Sequence, residues 1–250
     1  MTENEICQNL AFAYQFLAEF RMDDLTYSHL SARVPGKDYF YIYPFGFLFS
    51  EVTAQSLLKV SLEGEVLDGH EMQYNKTGYV IHSNIYRARD DINAIFHLHT
   101  TAGVAVSAME PGLLPISQFS FHFYNRIVYH TYNSLALDHK EHGTKLVEDL
   151  AHYKVMMLRN HGTLTCGATI HEAFFYAYYL EHACKVQCHA LASGQPLIYP
   201  SPAICERAAY DMQSFEQDLG YRDWQALKRR FLRKNALVGD SGFEPLAPAV

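Results

Sequence analysis

Two short apolar runs, each followed by histidine, constrain this chain most. Ile92 to His99 closes on His97-Leu98-His99, and Val155 to Leu158 leads into Arg159-Asn160-His161-Gly162. Apolar runs of this length, bounded by turn residues, fit strands buried on both faces. In a strand, residues i and i+2 point to the same face. His97 and His99 can therefore present two imidazoles to one point, and His161, from another strand end, can supply a third. Three imidazoles around one divalent ion, with positions left for water or substrate, is the open arrangement of a catalytic metal site. A lone His-x-His also fits a half-buried histidine with a satisfied hydrogen bond, so the surrounding segments carry the decision.

Those segments alternate irregularly. Thr2 and Glu5 form a capping-box pattern ahead of an amphipathic helix over Glu3–Arg21, with Leu10, Tyr14, Leu17 and Ala18 on one face. Short strands are expected at Ser31–Val34, Tyr39–Tyr43 and Leu57–Leu62, punctuated by Pro35-Gly36, Pro44, Gly46 and Gly64. Helix follows over Tyr79–Arg89, strand over Ala94–His99, and a short helix over Thr101–Met109. Further on come a strand at Arg126–His130, a helix at His139–Leu150 and the strand Val155–Leu158. Thr169 caps a long helix, Ile170–Leu191, and beyond Ser201 two polar helices are expected, the second carrying the basic run Lys228 to Lys234. A layered α/β sheet with helices on both sides is the favoured architecture. One domain over residues 1–250 is the simpler count, with 201–250 a helical C-terminal extension.

Composition narrows the function classes. With 49% hydrophobic and 19% charged residues the chain is globular, and a net charge of −7 argues against nucleic acid as the main partner. No stretch approaches the apolar length needed to cross a bilayer, and the acidic start Met1-Thr2-Glu3-Asn4-Glu5 has no secretory pattern. Five cysteines, odd in number and without a C-x-x-C pair, fit free thiols in a reducing compartment, so a cytoplasmic location is expected. Cys184 and Cys188, at i and i+4 of a helix, could meet as zinc ligands, although small apolar helix positions are the commoner use of cysteine.

From Ser28 to about Ala192 the chain resembles the class II aldolase and adducin head-domain family, more closely its adducin-like branch. The resemblance is carried by Ser31-Ala32-Arg33-Val34-Pro35, Pro44-Phe45-Gly46, Ser50-Glu51-Val52-Thr53, His82 to Asp90, His97-Leu98-His99, Gly112 to Ser117 and Arg159-Asn160-His161-Gly162. It implies a three-layer α/β/α sandwich with a largely antiparallel central sheet. It also implies a homotetramer with sites near subunit boundaries, and it makes His97, His99 and His161 the ligands of a divalent metal. Zinc is the expected ion, with Fe2+ and Mn2+ as alternatives. The implied activity is lyase-type chemistry on a small carbonyl or hydroxy/keto-acid substrate.

Departures from the family pattern qualify that activity. The aldolases carry an acid-base Glu shortly before the helix holding His82, and that position aligns with Gly78. Glycine cannot move the proton that aldol cleavage requires. Asp68, Glu71 and Glu51 are the carboxylates nearby in sequence. The family's phosphate cradle is also altered, with His29-Leu30, Phe45-Gly46 and Lys76-Thr77 in its place. His29, Gly46, Lys76 and Thr77 remain candidates for binding substrate, and Arg126 is a candidate partner for a substrate carboxylate. His82 reads as a packing histidine rather than a fourth ligand. Two other functions stay open: a non-catalytic, adducin-like assembly module of the cytoskeletal kind, and an Fe(II) oxygenase on the same three histidines.

Overall fold

A computed structural model describes residues 1–68 and 72–238, so Glu71 and the last twelve residues of the C-terminal extension lie outside the described residues. The strands are β1 (His29–Arg33), β2 (Tyr39–Ile42), β3 (Leu58–Ser61), β4 (Ala94–Leu98), β5 (Ile127–His130), β6 (Val155–Leu158) and β7 (Gly162–Gly167). They form one sheet in the order β3-β2-β1-β4-β7-β6-β5. Every pairing is antiparallel except β5 with β6.

Helices cover both faces, as strands buried along their whole length require. They are α1 (Glu3–Glu19), α2 (Lys76–Ala88), α3 (Thr101–Ser107), α4 (Gln118–Phe121), α5 (Thr144–Leu150), α6 (Ile170–Ala192), α7 (Pro202–Ser214) and α8 (Tyr221–Val238). The two-residue alternation of β1 sorts its neighbours. His29, Ser31 and Arg33 reach α2, where they bond His82, His82 and the Tyr86 carbonyl respectively. Leu30 and Ala32 point to the other face, on the side of α1. This is the α/β architecture with a largely antiparallel sheet that the sequence predicts.

Two expectations need correction. The helix expected over Tyr79–Arg89 begins earlier, at Lys76, because the Asn75 side chain caps it by accepting the backbone N–H groups of Thr77 and Gly78. Gly78 thus sits inside the first turn, where its poor helix propensity hides the start from a reading of the sequence. The basic run on α8, which the sequence reads as a solvated helix face, is solvated only in part. Trp224 and Phe231 are buried against Phe16, at 5.2 and 5.6 Å between ring centroids. Lys228 lies over the Phe12 ring, and Arg230 pairs with Glu19 at 2.9 Å. The apolar stripe of α8 therefore packs on α1, and two of the cations are taken up along its edges.

Candidate metal centre

β4, β7 and the turn before β7 converge at one end of the sheet. His97 is the fourth residue of β4, paired with His29 of β1 on one side and Leu164 of β7 on the other. His99 follows the last residue of β4. His161 ends the turn Arg159-Asn160-His161 between β6 and β7, in which Asn160 takes a left-handed φ of 56°. Gly162 lets that turn close on β4: a Cβ there would stand 2.5 Å from the Leu98 carbonyl oxygen and 3.1 Å from the His99 ring.

The result is a triangle of imidazole nitrogens. Nε2 of His99 lies 2.8 Å from Nε2 of His97 and 3.0 Å from Nε2 of His161, and the third side is 3.2 Å. The outer nitrogens of two rings are held from behind. His97 Nδ1 donates to the Thr163 carbonyl at 3.0 Å, and His99 Nδ1 to the Asp24 carboxylate at 2.9 Å. Those bonds place the ring protons on Nδ1 and turn the Nε2 lone pairs inward. These three nitrogens are close enough together to be ligands of one divalent ion. Burial, and then the neighbouring His99 and His161 rings, hold His97 well below the ordinary imidazole pKa. Burial, followed by His99 and His130, lowers His161 to about 4. Both are neutral near pH 7, which is the state a metal ligand needs. Among the described residues this is the one group of three or more potential ligands gathered closely enough to share an ion.

The other sequence candidates fall in different places. His29 packs against His97, with ring centroids 4.8 Å apart, and bonds His82 at 2.9 Å. His82 is wholly buried, which pushes its pKa down to about 3, and it also bonds Ser31; it is a packing residue and not a fourth ligand. Gly78 lies directly against His29. Lys76 and Thr77 occupy the first turn of α2. Gly46 lies on the adjoining turn, tied there by the Phe45 N–H to the Gln73 carbonyl and by contact of the Phe45 and Tyr27 rings. These four candidates share the histidine end of the sheet.

Arg126 does not. It precedes the first residue of β5, at the end of the sheet where β6 begins, and donates to the Ala209 carbonyl of α7 at 2.7 Å. Arg126 thus stands apart from the three histidines, beside a different cavity. The nearby carboxylates are engaged elsewhere: Glu51 accepts from the Leu48 N–H and Asp68 from the Lys59 N–H. Cys184 and Cys188 are free thiols on α6.

Three further residues stand by the site, and sequence reasoning missed the first of them. Asp24 sits in an irregular segment, and nothing in its spacing points to His99. Tyr132 places its ring 6.0 Å from that of His161. His130 ends β5 near His161 and bonds Asp149 at 2.8 Å, while Lys145 pairs with the other oxygen of that carboxylate.

Comparison with known proteins shows where this fold recurs. The structure superposes on that of an aldolase II superfamily protein from Pseudomonas syringae with a TM-score of 0.88 and 42% identity, over 93% of this chain and 94% of that one. It superposes on L-fuculose 1-phosphate aldolase from Glaciozyma antarctica PI12 with a TM-score of 0.82 and 27% identity, over 94% and 91%. Among curated proteins, rat (Rattus norvegicus) alpha-adducin is 41% identical over 191 residues, which is 75% of this chain but 26% of the adducin. The chain thus spans about a quarter of that relative's length. Residues 8–188 match the model of the family described as Class II Aldolase and Adducin N-terminal domain, and the chain belongs to that family.

Proposed function

We propose that the protein is a divalent-metal-dependent enzyme of the class II aldolase type, acting on a small carbonyl or hydroxy/keto-acid substrate. The observation that carries this reading is the inward triangle of Nε2 atoms with its Asp24 and Thr163 backing. The inward lone pairs of His97 and His99 repel one another at this distance, and a cation among the three nitrogens would relieve that repulsion. His97, His99 and His161 would hold the ion. An ion held there would supply Lewis-acid chemistry at a substrate carbonyl. Zinc suits three imidazoles, and Fe2+ and Mn2+ are the competing ions.

Gly78 separates this chain from an ordinary sugar-phosphate aldolase, because the aligned acid-base carboxylate is missing. Efficient retro-aldol cleavage of L-fuculose 1-phosphate is therefore not expected. Rapid turnover of that substrate by metal-loaded protein would sink this part of the reading. The metal assignment is tested by elemental analysis of purified protein. About one divalent ion per chain is expected, and a metal content unchanged in the His97→Ala/His99→Ala/His161→Ala variant would refute it.

The 41% identity to alpha-adducin supports a second reading, an assembly module in which the same fold serves protein contacts. Failure to find any metal would favour it. On either reading the protein is expected to be a cytoplasmic homotetramer with the histidine cleft near a subunit boundary. Scattering at micromolar concentration that gave a monomer mass of 28.6 kDa would remove the tetramer.

A further inference from the structure

We propose that the cavity beside Arg126 is a second binding site, for a small carboxylate that carries an apolar tail. The Arg126 guanidinium takes the carboxylate, and the groove between α4, α6 and α7 takes the tail. This site does not rest on the function proposed above.

The charges on the cavity wall largely pair off and leave one cation over. Lys154 reaches Glu172 at 2.6 Å, His171 reaches Asp218 at 2.6 Å, and Arg222 reaches Glu216 at 2.7 Å. Arg126 pairs with no carboxylate among the described residues. It spends one N–H, on the Ala209 carbonyl, and most of its donors remain. Those donors are not sealed away: the half-buried side chain lines a cavity of about 660 Å³, and none of its nitrogens is a closed-off, unpaired polar atom. Burial pushes the guanidinium pKa down, as expected of a cation drawn from water without a counter-charge. An anion from outside offsets that cost, and the planar fork of N–H groups matches a carboxylate. A phosphate dianion suits the wall less well, since a single spare cation would face it among three carboxylates, Glu172, Glu216 and Asp218.

The tail follows from the neighbouring cavity. A second space, about 570 Å³, adjoins the first across His122, Glu216 and Leu219, which line both. Its walls are chiefly apolar: Phe121 of α4, Phe175 and Tyr179 of α6, Met212 of α7, and Leu219. Phe215, 77% exposed, extends this apolar surface into solvent. The charged residues Asp211 and Arg222 are taken up by Arg207 and Glu216. His122 packs its ring on Phe175 and Tyr179 and so forms part of the wall between the two spaces. Each volume lies in the usual range of small-molecule pockets, about 300–1,000 Å³. A charged head and an apolar body therefore find separate, adjoining surfaces. The head is fixed by direction and charge, and the body contributes by burial.

Calorimetry of the full-length protein with octanoate tests the site. The protein is first dialysed against a chelator, so that no ion on the three histidines can take the carboxylate. About one octanoate per chain is expected. Hexanoate should bind about tenfold more weakly, because two methylenes fewer are buried. Arg126→Gln should weaken octanoate binding about 10- to 100-fold, and Arg126→Lys, which keeps the charge, should recover part of the loss. Met212→Asp, which puts a charge in the apolar cavity, should cost about tenfold. Octan-1-ol keeps the tail and lacks the charge; it should bind more weakly than octanoate, and equally to wild type and Arg126→Gln. No binding of octanoate at millimolar concentration would overturn the proposal, as would equal octanoate affinity in wild type and Arg126→Gln. A parallel loss of octanol and octanoate in Arg126→Gln would overturn the carboxylate role, because Arg126 would then act only by holding the Ala209 carbonyl of α7. Inorganic phosphate binding more tightly than octanoate would overturn the ligand class.

Discussion

The two ends of the sheet make an instructive pair. Both collect titratable side chains, and the end away from the three histidines holds the larger cavity, about 660 Å³, lined by His122, Arg126, His152, Lys154, Glu172 and Asp218 among others. By size and charge it is the more conspicuous candidate site. Its polar groups, however, largely satisfy one another. Lys154 pairs with Glu172 at 2.6 Å and His171 with Asp218 at 2.6 Å, and Arg126, which donates to a backbone carbonyl, is the cation left over. At the histidine end the opposite holds: outer ring nitrogens are paired with Asp24 and a backbone carbonyl so that the inner ones are left facing each other. A cluster becomes a binding site through what it leaves unsatisfied at one point, not through how many charges it gathers.

The comparison breaks first at the ligands. His161→Ala should abolish stoichiometric zinc binding, measured by elemental analysis after dialysis, while Arg126→Ala at the far end should leave the zinc content unchanged. Equal loss in both variants would erase the distinction between the two ends. A smaller effect is expected one step back from the site. Asp24→Asn keeps the shape but weakens the hold on the His99 ring, and zinc affinity should fall about 10- to 100-fold in a competitive chelator titration.

Gly78→Glu sharpens the comparison from another side. The new Cβ meets the His29 ring at 2.9 Å, so the variant should be destabilised by about 1–3 kcal/mol in urea unfolding rather than gain aldolase activity. Pairing it with His29→Asn, which vacates part of the space, should recover stability. An unchanged urea midpoint in the single variant would show that His29 yields more easily than its packing indicates.

The smallest effect is a difference in acid sensitivity. His82, near the histidine end, is depressed to about 3 and His122, at the far end, to about 4, in both cases chiefly by burial. A free imidazole titrates at about 6.5, so below that pH the unfolded chain takes up protons that the folded one refuses. Stability from these groups is therefore complete above about pH 6.5 and is lost as the pH falls toward 4 and then 3. Urea midpoints should decline between pH 7 and pH 4.5, with a shallower slope in His122→Gln. A slope unaltered by that substitution would assign the acid sensitivity elsewhere.

Much of the architecture was legible in the sequence, for local reasons. The Thr2–Glu5 capping box, the apolar runs that became β4 and β6, and Thr169 at the start of α6 each act through neighbours a few residues away. The start of α2 was obscured because Gly78 counts against a helix until the Asn75 cap is recognised. The position of Arg126 was not legible either, because its place before a strand does not say which end of the sheet it occupies.

The sequence by itself determined that His97 and His99 lie at the end of one strand and could share a face, and that His161 lies just after another. Only the tertiary structure decided that these ends meet, because the antiparallel β4–β7 pairing brings residues more than sixty positions apart into register. It also decided which groups stand behind and beside them: Asp24 on the His99 ring, and His29 in the space that Gly78 leaves. Strand pairing and loop closure are long-range, and no spacing within a single segment encodes which carboxylate or imidazole will arrive at the far side of a contact.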